Sequence, residues 1–317
     1  MPMPWAVSSA VDMSWLRRLK TEGRDAIELV LLPGLAAVLP WPLCFRLFRR
    51  LAHWRWLYRQ ASECAVAEAR ARGLADDAAH WHWMRRLVTL VDHADYYLSR
   101  TRSRQGGERW LARHVAEEGA WPPPERAAIL CTFHWGAGMW GLHSATRAGL
   151  RPHALVAPLD QAAFRGRAVL GWYARARTGE VARVLAQGAL DVSRSLRPVV
   201  RALRAGEQIV AAVDVPADQA AASEPVTVLG LQARVPRGLL RLAVDQQAPV
   251  AVYLTGLDVR TGRRWVRVEQ LGVHDEVTAL IGEVFRRLDA ALAQDPAAWH
   301  FWSESARFFS RADELLP

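Results

Sequence analysis

Between residues 46 and 115, apolar and charged side chains mix at helical spacing with few turn residues among them, which predicts a helical region. The run WPPPER at 121–126 ends that pattern, because proline has no N–H to donate and biases its predecessor away from helix. Beyond it, short apolar runs alternate with longer helical patterns. Strands are predicted at AAILCTF (127–133), ALVAPL (154–159), VARVL (181–185) and QIVAAVD (208–214). A hairpin is predicted over VTVLGLQARV (226–235), with two more strands at APVAVYLTG (248–256) and RRWVRVEQL (263–271). Helical patterns fall at about 161–178, 190–205, 237–247 and 276–294. Strands interleaved with helices predict an α/β fold with parallel strands. The chain divides near Trp121, into a helical amino-terminal region over 1–120 and an α/β core over 121–317.

The amino-terminal region holds one conspicuously apolar stretch, AIELVLLPGLAAVLPWPLCF at 26–45, with Glu28 its single acidic residue and prolines at 33, 40 and 42. Twenty apolar residues could span about 30 Å of hydrocarbon as a helix, but three prolines argue against a straight span. The adjoining CFRLFRRLAHWRWLYRQ (44–60) interleaves arginine with tryptophan, phenylalanine and leucine, the composition of a helix lying in a bilayer interface. Core helices with solvated arginines are the alternative. Residues 1–20 mix charge into the place where the apolar part of a cleavable signal would sit, so no such signal is expected.

Composition narrows the classes. The 317 residues are 51% hydrophobic and 23% charged, which excludes collagen-like and low-complexity chains. The net charge of +9 rests almost wholly on arginine, since Lys20 is the only lysine, and it favours an anionic partner. Fifteen tryptophans beside arginine would also suit a single-stranded nucleic-acid binder. No RNP-like strand, zinc-finger spacing or concentrated basic run accompanies them, so nucleic acid is not expected. Cys44, Cys64 and Cys131 are far apart with no C-x-x-C pair, so neither a zinc cluster nor a disulfide framework is indicated, and a reducing compartment is expected. His80 and His82 are two apart on a predicted helix and point to different sides, so no metal site is expected there.

Chemistry in an α/β sheet collects at the carboxyl ends of strands, where loops feed helix amino termini. The first such junction reads ILCTFHWGAGMWGLHSATRAG (129–149): a buried strand ends at Phe133, His134 comes next, and Gly136 and Gly138 precede a helix starting near Met139. An imidazole with an apolar wall behind it and a small-residue loop in front is open to close approach by a substrate. His143, one helix further on, is expected to be structural.

Taken in order, several segments resemble the bacterial lipid A biosynthesis acyltransferases, the lauroyl and myristoyl transferases within the lysophospholipid acyltransferase superfamily. LPGLAAVLPWPLCFRLFRRLA (32–52) is similar to that family's membrane-associated region and TFHWGAGMWG (132–141) to its strand-histidine motif. RGRAVLGWYARARTG (165–179) is similar to its arginine-containing helix, and GEQIVAAVDVPAD (206–218) to its glycine-initiated strand ending in an aspartate loop. Residues 228–256 look like its hairpin, proline-glycine helix start and apolar strand, and DPAAWHFWSESARFF (295–309) like its aromatic closing segment.

The resemblance implies a glycerolipid-acyltransferase-like mixed sheet flanked by helices, at the cytoplasmic face of a bacterial inner membrane. It implies acyl transfer from an acyl-carrier-protein or coenzyme A thioester to a hydroxyl or amine of a lipid acceptor, with no resident cofactor. His134 would be the general base, and a carboxylate five residues later would orient it. Here the fifth residue is Met139. Either a carboxylate from elsewhere substitutes, with Asp214, Asp218, Asp160 and Glu180 as candidates and Asp214 preferred, or the acceptor needs less help, or the chain is a silent membrane-associated binding or assembly protein. Gly136, Gly138, Arg175, Arg177, Arg237 and Gly238 are the expected substrate-binding residues: the first two by allowing close approach, Arg175 and Arg177, from a cluster that also holds Arg165 and Arg167, and the helix start at Arg237 and Gly238 for anionic parts.

Overall fold

The computed structural model describes residues 15–102, 107–156, 161–192, 195–216, 218 and 222–309. The amino-terminal region contains α1 (Trp15–Ala26), a π-helical turn (Ile27–Leu31), α2 (Leu32–Val38), α3 (Trp41–Leu51), α4 (Arg59–Ala71), α5 (Ala78–Arg102) and α6 (Gly107–His114). Then come β1 (Val115–Gly119), β2 (Ala128–Thr132), α7 (Met139–Arg147), β3 (His153–Val156), α8 (Ala168–Leu185), β4 (Leu190–Asp191), α9 (Arg197–Arg204) and β5 (Gln208–Ala212). The chain continues through β6 (Ser223–Val228), β7 (Leu231–Pro236), α10 (Gly238–Asp245), β8 (Val250–Leu257), β9 (Arg264–Gly272), α11 (Val277–Gln294) and α12 (Ser305–Phe308).

Seven strands form one sheet in the order β1-β9-β8-β2-β5-β3-β4, and β6 and β7 make a separate antiparallel hairpin. The sheet is mixed, not parallel throughout: β9 runs antiparallel to β8, and β1 pairs parallel to β9. Two further expectations are corrected. Residues 181–185 belong to α8, where Tyr173, Glu180 and Val184 fall at helical spacing and are each buried; the strand beside β3 is instead Leu190–Asp191. Val115–Gly119 lies in the region expected to be helical, yet it forms the sheet edge, held by pairing with β9 while most of its side chains stay exposed.

Alternation along the strands divides the core. Ile129, Cys131, Ile209, Ala211, Val250 and Val252 face α9, α10 and α11, whereas Leu130, Val210, Ala251, Tyr253 and Val266 face α3, α5 and α7. While α4 and the start of α5 pack with the opposite cluster, α3, the later part of α5 and α7 therefore belong to one outer layer of a three-layer structure. An ion pair fastens that layer: Arg264 of β9 and Asp95 of α5, both wholly buried, are hydrogen-bonded. The guanidinium also lies 3.8 Å from the Trp41 ring and donates to the Gly262 carbonyl at 2.9 Å.

Pro33 does not break its helix. A proline there offers no N–H to the Leu29 carbonyl. The chain widens into the π-helical turn, with the Leu32 N–H reaching the Ile27 carbonyl, and the Tyr97 hydroxyl donates to the Leu29 carbonyl at 2.7 Å. Helix stops at Leu39, in extended conformation before Pro40. Glu28 is buried, and its carboxylate accepts the Tyr58 N–H at 2.6 Å. Among the described residues no helix is long and apolar enough to cross a membrane.

Candidate active site

The central strand β2 lies between β8 and β5, and Thr132 pairs with Ala212. The Val213 N–H donates to the Thr132 carbonyl at 2.9 Å, so the two strands stay in register past their ends. Two residues beyond Thr132 is His134, and two beyond Ala212 is Asp214. Parallel register alone thus sets an imidazole beside a carboxylate at the carboxyl end of the sheet.

Asp214 is wholly buried, and three donors converge on it. The His134 backbone N–H reaches both oxygens, at 3.0 and 2.9 Å, and His134 Nδ1 lies 2.8 Å from Oδ1. The Trp299 indole donates to Oδ2 at 2.8 Å. With a carboxylate as acceptor, Nδ1 carries the proton and Nε2 has the free lone pair. The His134 side chain is 38% exposed, and Phe301 stacks on its ring with centroids 4.1 Å apart. The arrangement can take a proton at Nε2 and stabilise the imidazolium that results.

A second tier holds the loop. The His300 N–H donates to the His134 carbonyl at 2.7 Å, and His300 Nε2 donates to the Gly136 carbonyl, also at 2.7 Å. Arg85 donates to His300 Nδ1 at 3.1 Å and to the Trp299 carbonyl at 2.9 Å, which sets the His300 tautomer. Burial, with the Arg85 charge beside it, pushes the His300 imidazole down to about 4, so it stays neutral at neutral pH.

No protein-family model and no curated protein matches the chain.

Of the candidate carboxylates, only Asp214 among the described residues reaches His134. Asp218 is paired with Arg307, Glu180 with Arg183 and Ser99, and Asp160 lies outside the described residues. Met139 is a buried core residue at the start of α7.

The expected binding residues separate. Gly136 faces the protein: its φ is +70°, its N–H donates to the Ala298 carbonyl, and a Cβ there would stand 2.1 Å from the Thr255 carbonyl oxygen. A glycine is required because the loop crosses the backbone of β8 at contact distance. Gly138 has open space where a side chain would project. Arg177 is held by the Asp92 carboxylate, which both its terminal nitrogens bond, at 2.7 and 2.8 Å. Arg167 is likewise held by Asp25. Arg175 and Arg165 are exposed, with no ion pair among the described residues. Arg237 pairs with Glu224 at 3.3 Å. Gly238 opens α10, which leads into β8; because β8 runs parallel to β2, that helix end lies at the same edge of the sheet as His134.

Sequence reasoning did not single out Arg85, Trp299, His300 or Phe301 for the site. The one signal was the aromatic density of 295–309, which carries three of the four.

Proposed function

We propose that the protein is a membrane-peripheral acyltransferase that moves an acyl group from a thioester of acyl carrier protein or coenzyme A to a hydroxyl or amine of a lipid acceptor. The observation that carries this reading is the 2.8 Å bond between His134 Nδ1 and Asp214, in an imidazole whose side chain is 38% exposed. The acceptor O–H or N–H attacks the thioester carbonyl carbon while its proton passes to His134 Nε2. The tetrahedral intermediate then expels the thiolate, which takes that proton from the imidazolium. Asp214 keeps the ring in the required tautomer and offsets its transient charge. Asp214 thus occupies the role that a carboxylate five residues after the histidine has in the acyltransferases this sequence resembles.

Exposed apolar side chains support the membrane part of the reading. Leu31, Val38, Leu43, Trp54 and Trp56 are all more than 40% exposed, and Arg46, Arg49, Arg50 and Arg55 lie among them in the sequence. The buried face of α3, Trp41, Cys44, Phe45, Phe48 and Leu51, is already spent on the core, so the outward residues are available to a bilayer.

Incubation with labelled acyl donors and a total lipid extract tests the reading. The parent should transfer label to lipid, and His134→Ala should abolish transfer while keeping the parent's circular dichroism. A parent inactive with every donor would favour a silent binding protein, and an active His134→Ala protein would remove the general base.

A further inference from the structure

A groove of about 710 Å³ lies between the α3–α4 loop, the start of α4 and the amino-terminal half of α5. His53, Arg55, Arg59, His82 and Arg86 line it beside the indole of Trp56. Three guanidinium groups face one carboxylate in its wall, Glu63, which Arg59 engages at 3.2 Å.

Arg86 is the unusual member. It is only 6% exposed, its Nε has no hydrogen-bond acceptor among the described residues, and its Nη1 reaches the Ala52 carbonyl at a long 3.5 Å. A buried guanidinium with five donors and so few acceptors is costly unless something else fills the space. Burial and the neighbouring Arg55 both work against its charge. His82 is fixed by a 2.7 Å hydrogen bond between Nδ1 and Ser62 Oγ, and the Trp83 indole is tied to the Arg49 carbonyl at 3.1 Å, so the walls are set without a ligand.

We infer that this groove is a binding site for a phosphate monoester, whose oxygens accept from the guanidinium groups of Arg86, Arg55 and Arg59. A tetrahedral dianion supplies the acceptors that the buried guanidinium lacks and offsets the excess positive charge. Trp56 of the groove wall and Trp54, exposed indoles with ring centroids 5.6 Å apart, fit an anionic lipid as the source of that phosphate. His134 and Asp214 do not line the groove, and occupancy there is read without any turnover.

The test is calorimetric titration of the full chain with inorganic phosphate and with glycerol 3-phosphate. It is joined by flotation with phosphatidylcholine vesicles, with and without phosphatidic acid, at fixed ionic strength. Both soluble anions should bind the parent in competition. Affinity should fall about tenfold or more in Arg86→Met and in the surface double variant Arg55→Gln/Arg59→Gln. Phosphatidate-dependent flotation lost in the same variants identifies the lipid as the source; flotation unchanged in variants that have lost the soluble anions identifies a soluble phosphate ester. A folded parent with no saturable binding of either soluble anion, or equal affinity in parent and variants, overturns the site.

Discussion

Replacing Asp214 by asparagine changes one oxygen into an NH₂ group, and the geometry of its three donors fixes the consequences. The carboxylate accepts from the His134 N–H, His134 Nδ1 and the Trp299 indole in a wholly buried position. If the amide nitrogen faces Trp299, two donors meet, at a cost of about 1–3 kcal/mol in stability. If it faces the imidazole, Nδ1 must accept, the proton moves to Nε2, and the ring can no longer take a proton from an acceptor substrate. Loss of the corresponding carboxylate in a serine-protease triad lowers turnover about 10⁴-fold, or roughly 5 kcal/mol in the barrier, and a similar loss is expected here. Single-turnover acyl transfer measures the rate, and nitrogen-15 spectra of histidine-labelled protein give the tautomer independently of any substrate. A folded Asp214→Asn protein with parental turnover and the Nδ1–H tautomer would refute the reasoning.

Met139→Glu restores a carboxylate at the sequence position where the resembled acyltransferases carry one, but puts it in a core site 3% exposed; stability should drop on the order of 3–5 kcal/mol in urea titration, with turnover no higher than the parent's. A stable glutamate variant with a raised rate would count against Asp214 as the partner. Asp95→Ala leaves Arg264 buried and unpaired and should cost about 3–5 kcal/mol, whereas loss below about 1 kcal/mol would show the pair to be incidental. Burial pushes His93 down to about 3, and His143 and His300 down to about 4. Between those values and about 6.5 the unfolded chain binds protons that the folded one does not, so stability falls as pH is lowered through that window, by about 1.4 kcal/mol per pH unit for each histidine. Denaturation from pH 7 to 4.5 should show that slope and His143→Gln should flatten it; a pH-independent midpoint would sink the assignment.

His134 is legible in the sequence because a buried apolar run ending in histidine and a small-residue loop marks a strand end. Asp214 is legible as a candidate because it closes another such run, but its choice over Asp218 depends on the pairing of Thr132 with Ala212, which no local pattern encodes. VARVL misleads because apolar residues flanking a polar one fit a strand face and a helix face alike; the helix that starts at Ala168 simply continues through it to Leu185. Val115–Gly119 escapes local reading because two glutamates and a glycine carry little β propensity, and the strand exists through its ladder with β9. Pro33 reads as a breaker because the Tyr97 hydroxyl that satisfies the Leu29 carbonyl lies 68 positions away from it in sequence.

Residues 299–301 supply the indole on Asp214, the amide on the His134 carbonyl and the ring stacked on the imidazole, more than 160 positions after the histidine itself. On the ribosome, β2, β5 and β8 are synthesised before that segment emerges. Until it emerges, the imidazole has neither cover nor clamp, whatever the strands have done. A chain cut short just before Trp299 would lose those restraints on the imidazole together with the buried rings of Trp299, Trp302, Phe308 and Phe309, so the same segment aims the side chain and completes the core.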